Sequence, residues 1–355
     1  MQCRLLLLSL LALAVSGCQT SRFYAQAISG QWEIVTQRRT FERVSAAPDS
    51  SPELIRQLGL IREMCAFAGR QLDLPAQGQF ESYVDLRREF VVWNVHAAPE
   101  FSTTAKTWWY PVVGRLEYRG YFREKLARNL AKRLNEEGFD VYVGGVDAYS
   151  TLGWFNDPVL NTFVDLPEAE LAELVFHELA HRRVFIPDDT DFNEAFATAV
   201  AREGVRRWLT FRNDAPALDR FQANRPAETA VIKLILAARK QLETLYTEDA
   251  ARPVNELREA KAKVIEHLRA NYHALRERLP HFPDYDAWMT APINNAKLNT
   301  IDTYYQLVPS FEARLLTLNG NLTAFYENIA STRNLTQADR RRGLAQEPGT
   351  VVRLR

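Results

Sequence analysis

Residues 165–183 read DLPEAELAELVFHELAHRR. Asp165 can cap a helix, Pro167 suits a first turn, and Glu168 and Glu170 favour the positive end of the helix dipole. Leu171, Leu174, Val175 and Leu179 supply an apolar face, so the spacing predicts a helix over about 166–184. His177 and His181 are four apart and project one turn removed on the same face, where two imidazoles can share one ion. Glu178 directly follows the first of them, which places a carboxylate beside any water held at that ion. Two histidines and a glutamate in this order are the helix of a zinc-dependent hydrolytic site, with His177 and His181 as ligands and Glu178 as general base.

A catalytic zinc needs a third protein ligand. Only four other histidines exist, His96, His267, His273 and His281, and none follows His181 closely. Glu194 leads the remaining candidates because it opens the next helical segment, Asp191-Phe192-Asn193-Glu194, after a loop through Pro187-Asp188-Asp189. Asp191 with Glu194 also has the spacing of a capping box, and Glu203 and the Asp188/Asp189/Asp191 cluster are rival ligands.

Lys+Arg and Asp+Glu number 44 each in 355 residues, with 46% hydrophobic and 25% charged residues. That balance is ordinary for a globular protein and argues against a nucleic-acid partner. Leu5 to Val15 form an apolar run behind Arg4, too short for a membrane span. The run ends Val15-Ser16-Gly17-Cys18. Small residues stand where cleavage needs them, and the ending resembles a bacterial lipobox. Residues 1–17 are expected to be a signal peptide, with Cys18 lipidated and 18–23 a short tether. A cell-envelope, periplasmic location follows, and Gln19 after the cysteine favours the outer over the inner membrane. Cys65 then remains alone, on an apolar helix face with Leu54, Leu58, Ile61 and Ala68, as a buried structural residue.

Further elements are legible. Tyr24, Ile28, Trp32 and Val35 recur at helical spacing; Ser51-Pro52 opens a second helix; Glu81 to Val113 reads as strand and loop. A third helix carries Leu126, Leu130 and Leu134 and stops at Gly138, before a strand over Phe139–Val146. Pro226, Pro253 and Pro280 punctuate a helical hairpin over about 226–279. The expected organisation is one domain over 24–330, α+β but predominantly helical, followed by a loose polar tail over 331–355.

The chain resembles a family of bacterial lipoproteins described as putative aminopeptidases, with a gluzincin-like motif. The likeness runs from Tyr24 to about Tyr326. It rests on Gly30-Gln31, Trp93-Asn94-Val95, Tyr118-Arg119-Gly120-Tyr121-Phe122, the block Ala148 to Phe155, Phe176 to His181, Phe192-Asn193-Glu194, Arg207-Trp208-Leu209 and Asn294-Asn295-Ala296. The resemblance implies a zincin-like metallopeptidase core. Two departures stand out: Trp109 and Arg115 occupy positions of a cysteine pair in relatives, and Thr198 stands where thermolysin-like enzymes carry an aspartate that orients a ligating histidine.

The expected activity is peptide-bond hydrolysis at the cell envelope. Zn²⁺ is held by His177, His181 and Glu194, Glu178 is the base, and Tyr304 or Tyr305 stabilises the oxyanion. The block Tyr149 to Phe155 is a candidate strand for holding a peptide or protein substrate by main-chain hydrogen bonds. Alternative readings are an envelope metallo-endopeptidase, or a non-catalytic lipid-tethered scaffold with a structural metal. Oligomeric state has no signature in the sequence.

Overall fold

A computed structural model describes residues 20–110, 114–148, 156–248, 252–279 and 285–345. These are mostly helix, with three small sheets. Helix α1 spans 20–36, followed by β1 (Arg39–Thr40), α2 (Phe41–Ser45) and α3 (Pro52–Gln71). Ser51 caps α3 as its sequence suggests, its hydroxyl accepting from the Leu54 N–H at 3.1 Å. Cys65 is packed against the main core from α3, and burial pushes its thiol up to about 12.

Strands β2 (Ser82–Val84), β3 (Val92–Pro99), β4 (Trp108–Tyr110), β5 (Gly114–Leu116) and β6 (Tyr118–Tyr121) occupy the expected strand-and-loop region. They are followed by α4 (Glu124–Glu136), β7 (Phe139–Val146) and β8 (Val159–Leu160). The central sheet is antiparallel in the order β6-β3-β7, with Asn94 opposite Gly120 on one side and Gly144 on the other. Because side chains alternate along β3, Val95 and Ala97 pack against Ala127, Leu130 and Leu134 of α4, while Val92 and Asn94 face a cavity on the other side. Gly138 ends α4 at a φ of +85°, a conformation that costs an L side chain energy. β8 pairs in parallel with β2 and feeds directly into the next helix.

Helices α5 (Glu168–Arg183) and α6 (Thr190–Phe211) form the centre of the largest core. They approach closely at Gly204, where a Cβ would lie 2.7 Å from the Phe176 ring. The Trp208 indole donates to Glu168 at 2.9 Å, tying the far end of α6 to the start of α5. Then come α7 (Ala215–Glu248), α8 (Val254–Arg278), α9 (Asp286–Thr290), α10 (Asn295–Tyr305), α11 (Val308–Thr317), α12 (Leu322–Ala330) and α13 (Gln337–Ala345). Helices α7 and α8 make the expected hairpin and share a separate core with α10.

Three expectations need correcting. Pro226 lies inside α7 rather than opening it: the helix starts at Ala215, where the Asp214 carboxylate accepts from the Ala217 N–H at 3.0 Å. The repeat Tyr24, Ile28, Trp32, Val35 does sit on a helix, but these residues are exposed; Phe23, Gln26 and Ile34 form the buried side of α1. Residues 337–345 of the expected loose tail form α13, which buries Arg340 against the loop between α5 and α6. Among the described residues, no helix is long and apolar enough to cross a membrane.

Candidate metal centre

His177 and His181 stand on α5 as the motif requires, although the helix is shorter than expected at its start. Pro167, not Asp165, occupies the N-cap, and it makes no side-chain capping bond. Glu194 reaches them from the first turns of α6. Its N-cap is Asp189, which removes the capping-box reading of Asp191 with Glu194.

The three ligand atoms form a triangle. His177 Nε2 lies 3.2 Å from Glu194 Oε2, His181 Nε2 lies 3.5 Å from the same oxygen, and the two Nε2 atoms are 3.1 Å apart. A tetrahedral ion with bonds of about 2.0–2.2 Å requires ligand atoms roughly 3.3–3.5 Å apart. The spacing therefore fits a zinc-sized ion, and among the described residues this is the one cluster of such donors. Two nitrogens and one carboxylate oxygen also form the donor set of an open zinc site, with a position left for water or substrate. The Nδ1 atom of His181 is buried with no acceptor among the described residues, so they do not supply the orienting contact usual for a ligating imidazole.

The rival ligands have other partners. Glu203 pairs with Arg206 and Arg207, both at 2.7 Å, and Asp191 pairs with Arg341 at 3.1 Å. Asp189 is held by Arg340 at 2.7 Å, and Asp188 accepts from the Arg115 N–H at 2.7 Å.

Two contacts that the sequence does not announce aim Glu194. The Asn193 side chain both donates to and accepts from the Ile186 backbone, at 2.7 and 2.8 Å, closing the α5–α6 loop on itself. Arg340 of α13 then pins the same loop through Asp189, the two side chains being 5% and 1% exposed. Beneath the site, Arg202 gathers Glu228 at 2.9 Å, Glu312 at 3.6 Å and Glu173 at 3.9 Å, linking α5, α6, α7 and α11.

The electrostatics follow from burial and proximity. Burial alone would raise Glu194, but the charge of His181 and hydrogen bonds from both imidazoles hold its carboxyl well below the usual range. Burial raises the Glu178 carboxyl, the neighbouring Glu194 and Asp157 adding to the effect against the opposing histidines. Tyr304 is raised well above the usual phenol range, chiefly by Glu194 and then by burial, so it remains a hydroxyl donor.

A cavity of about 350 Å³ joins these groups, with His177, Glu178, His181, Glu194 and Tyr304 on its wall. The Tyr304 ring lies over His177 with centroids 6.4 Å apart. Its helix, α10, is set against the sheet by Asn294, whose amide donates to Val141 O at 2.9 Å, and by Asn295, which donates to Pro99 O at 3.1 Å. Tyr305 is not brought to the site. One residue further round the helix, its ring sits under the Arg202 guanidinium at 5.3 Å, and burial pushes its phenol up to about 12. The proposed substrate strand Tyr149–Phe155 lies outside the described residues, as does Cys18. Leu116, Tyr118 and Gly120, at alternate positions along β5 and β6, line the cavity instead.

Residues 22–344 match the model of a family described as "Putative aminopeptidase". The chain belongs to that family, whose description assigns it to the peptidases. No curated protein and no solved structure matches it.

Proposed function

We propose that the protein is a zinc-dependent peptidase, with His177, His181 and Glu194 holding the ion. The supporting observation is the triangle of ligand atoms spaced for a tetrahedral ion, sharing one cavity with Glu178 and Tyr304. When bound, zinc supplies a Lewis acid that acidifies water to a pKa of about 7 and polarises a carbonyl. Glu178, one residue from His177, accepts the proton of the attacking water and returns it to the leaving amine. Burial suits this task, since a raised carboxyl is the stronger base toward the proton of the water. Tyr304 donates its hydroxyl to the carbonyl oxygen as negative charge develops there. The Glu194 carboxylate would supply the one negative charge among the three ligands, balancing part of the charge of the ion.

The chain's site is placed outside the cytoplasm, on the periplasmic side of a membrane, by a lipid on Cys18. The lipobox-like Val15-Ser16-Gly17-Cys18 supports this location. Metabolic labelling with a fatty acid should mark the parent and not Cys18→Ser.

The mechanism is tested with Glu178→Gln, which keeps the size of the side chain and removes the proton acceptor. Hydrolysis of a peptide library carrying free and blocked N-termini should fall at least about 10²-fold, with zinc content unchanged. Parent-like hydrolysis by this variant sinks the mechanism. Cleavage confined to free N-termini identifies aminopeptidase action; cleavage of blocked peptides identifies an endopeptidase.

A further inference from the structure

Helix α1 carries an apolar stripe that the fold leaves uncovered. Ile28 is 69% and Trp32 68% exposed, and Tyr24 and Val35 flank them at 37% each. Four large apolar side chains on one helix face are an unusual thing to leave in water. The opposite side of the helix is firmly docked: Phe23 and Ile34 are buried, and the Gln26 side chain accepts from the Phe122 N–H at 3.0 Å. A Cβ at Gly30 would lie 2.0 Å from the Phe122 ring, so the helix sits directly against the end of β6. The stripe is thus a fixed surface of the folded domain.

We propose that this stripe lies in the headgroup–acyl boundary of a phospholipid bilayer, with α1 flat on the membrane. The inference rests on the lipid anchor at Cys18 and extends it. Consecutive Cα atoms are about 3.8 Å apart, so residue 20, the first described residue of α1, stays within roughly 8 Å of an acylated Cys18. A helix that starts so near the anchor is held at the bilayer surface whatever its composition. Its outward residues have the chemistry of that surface: a tyrosine and a tryptophan, which suit the interface, bracket an isoleucine. Arg22 is the exposed charged residue of α1, on the flank of the stripe, and it favours anionic headgroups. Glu33, the acidic residue of α1, is turned aside into an ion pair with Arg88 at 2.9 Å.

Docking has a consequence for the site. Phe23, Tyr24 and Ala27 of α1 form part of the wall of the cavity that holds His177 and Glu194. Tyr24 belongs to both that wall and the stripe, one turn from Ile28. The lipid contact therefore orients the cavity relative to the bilayer, a constraint that a flexible tether alone would not impose.

The test uses the full processed chain carrying Ile28→Cys, labelled with an environment-sensitive maleimide dye. Cys65 is half-buried against the core and is replaced by Ser, and an acylated Cys18 cannot react, so one dye per chain is expected. In phosphatidylethanolamine/phosphatidylglycerol vesicles the dye emission should shift to shorter wavelength and be quenched by brominated lipid. Adding Trp32→Glu should reverse the shift in chains that still sediment with the vesicles, and a dye at Val35→Cys should report the same. Water-like emission from vesicle-bound chains overturns the inference and leaves the anchor intact. A shift that grows with protein density and ignores brominated lipid means that a second copy covers the stripe, and also overturns it. A second dye on Cys18, with the chain left in the supernatant, overturns the anchor and this inference with it.

Discussion

Replacing Arg340 by alanine tests whether α13 is part of the machinery that aims Glu194. The Arg340 guanidinium donates to Asp189 through Nε at 2.8 Å and lies 2.7 Å from the same carboxylate through Nη2. Both side chains are almost completely enclosed. Removing one member of a buried pair leaves an uncompensated charge and costs about 3–5 kcal/mol. Arg341 stays 3.2 Å from Asp189 but is 30% exposed, so it offsets part of that loss. The expected cost is therefore near the lower bound, about 3 kcal/mol, a large share of the roughly 5–15 kcal/mol that holds most domains folded. Asp189 is the N-cap residue of α6, five positions before Glu194. Loosening it should weaken zinc as well, by up to about 10²-fold if most of the energy is lost locally, since 1.4 kcal/mol is a factor of ten. Urea unfolding of the metal-free protein and a zinc competition titration measure the two effects. The double variant Asp189→Asn/Arg340→Ala, which removes the stranded charge, should recover part of the stability. An Arg340→Ala protein within about 0.5 kcal/mol of the parent would show that α13 is an ornament of the fold and refute the argument.

Three further outcomes are expected. Glu194→Gln should weaken zinc binding and hydrolysis together, by at least the roughly 10–100-fold seen for outer partners of metal ligands; unchanged metal affinity would return the third ligand to its rivals. Tyr304→Phe should lower kcat by about 10²–10³ with zinc content intact, whereas Tyr305→Phe should leave kcat near the parent, and steady-state kinetics on both variants separates the two roles. Glu117, half-buried near Asp191 and Asp302, has its carboxyl raised from 4.5 to about 7, first by burial and then by Asp191. The folded state thus binds a proton that the unfolded chain releases, so stability should fall as pH rises from about 4.5 to about 7. Glu117→Gln should flatten that slope in thermal melts, and an unchanged slope would discount the raised carboxyl.

The chemistry-bearing helix was legible because its information is local. Two histidines at a four-residue interval share a helix face wherever the helix packs, and Glu178 follows from the same periodicity. Ser51 as a cap, Gly138 as a stop and the alternation of β7 were legible for the same reason: each depends on backbone geometry over a few residues. The apolar repeat on α1 marked the helix correctly but not its buried side. Periodicity records which residues share a face; it does not record which face meets the core.

Contacts distant in sequence were decided by tertiary structure. Glu194 could be ranked above Glu203 and the aspartates but not selected, because the choice depends on which carboxylates find arginines: Glu203 finds Arg206 and Arg207 on its own helix, whereas Asp189 and Asp191 find theirs in the tail. Tyr304 and Tyr305 are adjacent and chemically alike, yet the rotation of α10, set by Asn294 and Asn295 against the sheet, sends one to the cavity and the other under Arg202. Residues 337–345 looked too polar to fold, and in isolation their composition gives little reason to order. Arg340 becomes buried, and Arg341 partly so, because Asp189 and Asp191 wait at the α5–α6 loop, some 150 residues earlier in the chain. Local spacing determined where the two candidate metal-binding histidines and the proposed base sit; long-range packing and charge pairing brought the proposed third ligand to them.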